Sequence, residues 1–63
     1  MSKEEFNKTG FHKGDFVILT HKNVNIGITI HEIIDRGNDV VLQTSSQGYL
    51  MNFKVSEITK IWR

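Results

Sequence analysis

Three histidines, His12, His21 and His31, are the residues of this 63-residue chain whose types could do chemistry, since each could move a proton or join Asp or Glu in holding a transition metal. Cysteine is absent, which removes disulfides and Cys-based zinc sites. Spacing works against a joint histidine site. His12 precedes the first apolar run and His21 follows it, so about six extended residues, roughly 20 Å, part them. His31 falls opposite Asp15 in the register expected below, giving a cross-strand His–Asp pair able to orient an imidazole. No nucleophile stands beside that pair, so we expect no metal, no cofactor, no small-molecule substrate and no enzymatic activity. The glycines Gly10, Gly14, Gly27, Gly37 and Gly48 are spread singly, whereas a phosphate cradle needs them clustered before a helix. They are expected at turns and a helix end, with Gly27 allowing Leu19 to lie across it.

A second constellation is basic and aromatic. Lys54, Lys60, Trp62 and Arg63, with Tyr49, fall on the last two strands, while Lys13 and Lys22 bracket the first. Aromatic rings that stack on bases beside cations that meet phosphates are how small barrels hold single-stranded nucleic acid. Against this stands the charge balance of 8 Lys+Arg to 7 Asp+Glu, a formal net charge of +1, far from the footprint of a dedicated nucleic-acid binder. Ile, Lys and Asn are plentiful beside two Arg, the usage of an AT-rich bacterial or phage genome. No apolar stretch approaches the roughly 18 residues needed to cross a bilayer, and MSKEEFNKTG lacks a signal-peptide hydrophobic region. A cytoplasmic protein without a membrane partner is the expectation.

The elements that position these residues follow from periodicity. Residues 1–10 form an N-terminal segment in which Ser2 and Glu5 have capping-box spacing and Gly10 can end a short helix. Phe6 must pack on the body, because so short a helix is not stable alone. Residues 11–63 form one domain with a period of two. Phe16 and Ile18 share a face, opposite Val17 and Leu19; Ile26, Ile28 and Ile30 share another. The alternation breaks at Glu32, before the adjacent pair Ile33–Ile34, which predicts a bulge or bend. Residues 35–39 are a turn cluster. VVLQT (40–44) and YLMNFKV (49–55) supply the third and fourth strands, and ITKIWR closes the chain after a break at Ser56–Glu57.

Register is set by matching apolar faces. With a loop over His21–Asn25, Phe16 opposes Ile30 and Ile18 opposes Ile28; with a loop over Ser45–Gly48, Leu42 opposes Met51 and Val40 opposes Phe53. The expectation is mainly β: a small five-stranded antiparallel barrel with a short N-terminal helical turn. Val17, Leu19, Val41 and Leu50 are then left on the second face of the strands. An uncovered apolar face of this kind marks a surface for a partner or for self-association.

The Gly14–Asp15 step into a first strand, with the remaining strands completed before Arg63, resembles the SH3-like and KOW-like small barrels. A short helix before five strands is also similar to Sm-like proteins, and Asp35, Asp39 and Leu42 lie at offsets resembling the first Sm motif, with Gly27 in the place of its upstream glycine. The spacing from Gly27 to Asp35 is longer than in that motif, Asp39 stands where it has an RNA-contacting Asn, and VSEITKIW stands where an Arg-Gly or Lys-His signature would fall. The resemblance implies architecture and carries no binding residue with it. Two functions are therefore expected. The first is a non-catalytic bacterial or phage binding module that meets a protein partner or its own copies through Val17, Leu19, Val41 and Leu50. The second is an RNA- or single-stranded-DNA-binding regulator acting through Lys54, Lys60, Trp62 and Arg63.

Overall fold

The computed structural model describes all of residues 1–63. At the N-terminus, extended Ser2 accepts a hydrogen bond from the Glu5 amide while the Glu5 carboxylate accepts one from the Ser2 amide, each at 3.1 Å. This reciprocal box opens helix α1 (Lys3–Lys8), and Gly10, at φ +75°, lies just beyond its Thr9 cap. Phe6 is the buried residue of α1 and pins it to the body, and Lys3 reaches Asp35 at 2.9 Å.

The strands are β1 (Phe16–His21), β2 (Val24–Asp35), β3 (Val40–Ser46), β4 (Tyr49–Lys54) and β5 (Ile58–Trp62), with a single 3-10 turn over Val55–Glu57 before β5. All pairings are antiparallel, in the order β4-β3-β2-β1-β5. The molecule is thus mainly β, with five antiparallel strands and one short helix. Its sheet is open, with β4 and β5 as unpaired edges. It is also curled. The His21 ring on β1 lies 5.0 Å from the Phe53 ring on β4, although three strand spacings, about 14 Å, would part those strands in a flat sheet. The break expected near Glu32 is present as a register shift between Ile30 and Glu32, which helps the long β2 bend.

Both hairpin registers differ from the face-matching expectation. Lys22 and Asn23, at φ +51° and +65°, make a two-residue turn joining β1 to β2. Two consecutive left-handed residues are what a type I′ hairpin requires. Val17 therefore pairs with Ile28, Leu19 with Ile26 and Phe16 with Thr29. That is a slip of one residue, and because side chains alternate it turns β1 over: Val17 and Leu19 are fully buried, while Phe16 is 62% exposed. In the other hairpin Gln47 and Gly48 form the turn, and Leu42 pairs with Phe53. That slip is of two residues and leaves the faces as expected.

The core joins Val17, Leu19, Ile28, Ile30, Val40, Leu42, Phe53, Val55 and Ile58 with Phe6 from α1. Each such side chain contributes about 1.5–3 kcal/mol by leaving water. The one buried polar residue, Thr44, donates from its hydroxyl to the Met51 carbonyl at 3.2 Å, and no buried side-chain polar atom lacks a partner. No helix is long and apolar enough to cross a membrane.

Candidate binding surfaces

The bulge decides the fate of the histidine–aspartate pair. The main chain of Asp15 pairs with Ile30: Gly14 donates to the Ile30 carbonyl at 2.8 Å and Ile30 to the Asp15 carbonyl at 2.9 Å. His31 falls at the register shift and is exposed. The Asp15 carboxylate instead accepts from the His12 amide at 3.0 Å and from Arg63 at 3.1 Å, so the expected His31–Asp15 pair is replaced by one with Arg63. The His12 amide, foremost, and Arg63 hold the Asp15 carboxyl below its ordinary range, against a smaller opposing effect of desolvation. No three His, Asp or Glu side chains converge as metal ligands.

The basic residues of the last strands divide. Lys54 ends β4 and Lys60 lies on β5, the opposite edge in strand order. Lys60 and Trp62 remain a unit, with Nζ 4.9 Å from the ring centroid. Arg63 is engaged, bonded to Asp15 and stacked 5.2 Å from the Phe11 ring centroid. Tyr49, 73% exposed, opens β4.

Lys54 belongs to a different locality, a cleft of about 600 Å³ lined by Arg36, Asn38, Asp39, Val41, Lys54 and Ser56. One wall is the β2–β3 turn and the other the end of β4 with the 3-10 turn. Asp39 ties them together, its carboxylate accepting from the Val40 amide at 2.8 Å, the Ser56 amide at 3.2 Å and the Ser56 hydroxyl at 2.7 Å. The Ser56 hydroxyl bond, followed by that from the Val40 amide, lowers the Asp39 carboxyl pKa. Arg36, Asn38 and Ser56 were legible as turn and strand-break residues; their convergence rests on the β3–β4 pairing, which sets Val41 opposite Lys54, and on the bonds from Ser56 to Asp39.

The apolar outer face also changes membership. Val17 and Leu19 are core residues, Val41 is half-buried, and Leu50 is 62% exposed. Phe16 and Ile18 take the outward positions on β1. Pairing sets a cross-strand row Phe16–Thr29–Ser45–Leu50, and beside it a row Trp62–Ile18–Gly27. Neither row holds a charge. Phe16, rather than Leu19, lies over Gly27: its ring tip is 3.1 Å from where a Cβ would stand.

Comparison of the chain with protein-family models, with curated proteins and with solved structures finds no match.

Proposed function

We propose that this chain is a non-catalytic binding module of the small-barrel kind, SH3-like or Sm-like, that meets a protein partner or a second copy through the outer face of its sheet. The observation that carries the reading is the uncharged row Phe16–Thr29–Ser45–Leu50, whose two ends are large apolar side chains each 62% exposed. A chain this short buries only about 60% of its unfolded surface and needs its apolar residues inside, so two such residues outside, flanked by Ile18 and Trp62, fit a contact surface. The curl of the sheet and the bulge in β2 support a barrel-like architecture.

The experiment compares the intact protein with a Phe16→Glu/Leu50→Lys double variant. Sedimentation equilibrium or affinity capture from a lysate should show an association that the double variant loses while its circular dichroism stays native. Association that is absent from the intact protein, or indifferent to both substitutions, overturns the reading. A second reading rests on the Lys60–Trp62 pair, a cation above an aromatic ring on an open sheet edge, which suits a stacked nucleic-acid base beside a phosphate. It requires oligonucleotide binding whose affinity falls steeply with salt and weakens on Trp62→Ala.

A further inference from the structure

We propose that the cleft between the β2–β3 turn and the 3-10 turn binds a phosphate group. Its charged lining is two cations and one carboxylate: Arg36, Lys54 and Asp39. The carboxylate is already committed, since three donors converge on its two oxygens. Asp39 therefore serves as the strut that holds the walls together. Its donors, the Ser56 hydroxyl foremost, are neutral, so it keeps its charge, and Lys54 is near enough to help lower its pKa, which leaves the lining with one net positive charge. The cations make no direct bond. Neither Arg36 nor Lys54 has a carboxylate within 4.0 Å, and neither side chain makes a hydrogen bond. The same holds for the Asn38 amide. Three other basic residues are paired, Lys3 with Asp35, Lys13 with Glu32 and Arg63 with Asp15, while Lys8, Lys22 and Lys60 are unpaired but lie outside the cleft.

A guanidinium, an ammonium and a neutral amide facing one cleft match a tetrahedral oxyanion. Arginine gives a planar fork that can engage two oxygens, lysine a point charge, and the amide a neutral donor. A carboxylate could also accept from all three, but a phosphate offers a separate oxygen to each donor and carries the larger charge. The Lys54 side of the cleft belongs to β4 and the Arg36 side to the turn that leads into β3, so the β3–β4 pairing, which sets Val41 opposite Lys54, assembles the site. It is separate from the Phe16–Leu50 row and independent of what that row binds.

The test follows backbone amides of the isotope-labelled full chain by NMR, at constant ionic strength, during titration with inorganic phosphate and, separately, with a single-stranded deoxyoligonucleotide. The amides of Gly37, Asn38, Asp39 and Ser56 should shift and saturate. Arg36→Ala and Lys54→Ala should each weaken binding about tenfold or more, the loss expected of one charge-assisted hydrogen bond, whereas Lys8→Ala and Lys22→Ala should leave it unchanged. Both cleft side chains are exposed and unbonded, so the fold should survive, as circular dichroism can verify. An oligonucleotide that binds no tighter than inorganic phosphate assigns the cleft to a free phosphorylated ligand; one that binds tighter, with a steep salt slope, assigns it to a polynucleotide backbone. The proposal is overturned if the cleft amides respond to neither probe, if the shifts spread evenly over all lysines, or if Arg36→Ala and Lys54→Ala bind like the parent.

Discussion

The two hairpins, β1–β2 and β3–β4, are built alike and teach different lessons. Each is closed by a two-residue turn with both residues at positive φ, Lys22–Asn23 in one and Gln47–Gly48 in the other. Each is launched by an aspartate whose carboxylate reaches toward the C-terminal part of the chain, Asp15 to Arg63 and Asp39 to Ser56. They differ in how far their registers depart from those that apolar face matching favours. The departure is one residue in β1–β2 and two in β3–β4. An odd slip exchanges core and surface, and an even slip does not. The parity of a turn thus decides which side of a strand faces a partner.

The largest expected effects test that parity directly. Phe53 faces the core in either register of its hairpin, so Phe53→Ala should cost about 3–5 kcal/mol, enough to unfold most molecules of so small a domain. Leu19 separates the two registers of β1. As a fully buried residue, it should lose about 2–5 kcal/mol on Leu19→Ala, while Phe16→Ala, at a largely exposed site, should lose under about 1 kcal/mol. Urea unfolding of these variants gives the ranking. A Phe16→Ala variant less stable than Leu19→Ala would turn β1 back over and restore Val17 and Leu19 to the contact face.

The reason β1 could not be read in advance lies in its own residues. In FVILT both faces are apolar, Phe16 and Ile18 on one and Val17 and Leu19 on the other, so the binary pattern that orients most strands is silent. Orientation then rests on the turn, and Lys22–Asn23 lacks the glycine that usually advertises a type I′ hairpin. β3 and β4 carry a usable signal: Gln47–Gly48 includes glycine, Phe53 lies between Asn52 and Lys54, and Gln43 follows Leu42. The capping box of α1 and the bulge in β2 were legible because each is a local rule, Ser2 with Glu5 and the adjacent Ile33–Ile34. The candidate surfaces were less so. Lys54, Lys60 and Arg63 are close in sequence, yet the strand order sends Lys54 and Lys60 to different edges and Asp15 claims Arg63.

The turns offer a smaller contrast. Left-handed backbone costs a non-glycine residue roughly 1–2 kcal/mol, and the β1–β2 turn places two such residues there where the β3–β4 turn places one. Lys22→Asn with Asn23→Gly should therefore stabilise the protein by about 0.5–1 kcal/mol. Gly48→Ala, at φ +84°, should destabilise it by about 1–2 kcal/mol. Thermal melts check both. A destabilised Asn-Gly variant would mean that the β1–β2 turn is not of the two-residue kind, and the parity argument would fail with it.

The gentlest probe is acid, acting on the two aspartates that launch the hairpins. Both carboxyls titrate below their ordinary range, Asp15 chiefly through the His12 amide with help from Arg63, and Asp39 chiefly through the Ser56 hydroxyl and then the Val40 amide. A carboxyl whose folded pKa is depressed contributes stability that is fully present above its unfolded value, near 3.9, and is lost as pH falls through the folded one. The parent should thus lose stability on acidification below about pH 4, and Asp15→Asn and Asp39→Asn should each flatten part of that loss. The two variants should differ in what loosens. Asp15→Asn removes a charge from Arg63 and should free the C-terminus, which amide exchange at Ile61 and Trp62 would register. Asp39→Asn weakens the acceptor for Ser56 and should raise exchange at the 3-10 turn, leaving Trp62 unchanged. Should both variants open the same amides, the hairpins would share one tether to the end of the chain, and the cleft held by Asp39 would lose its separate strut.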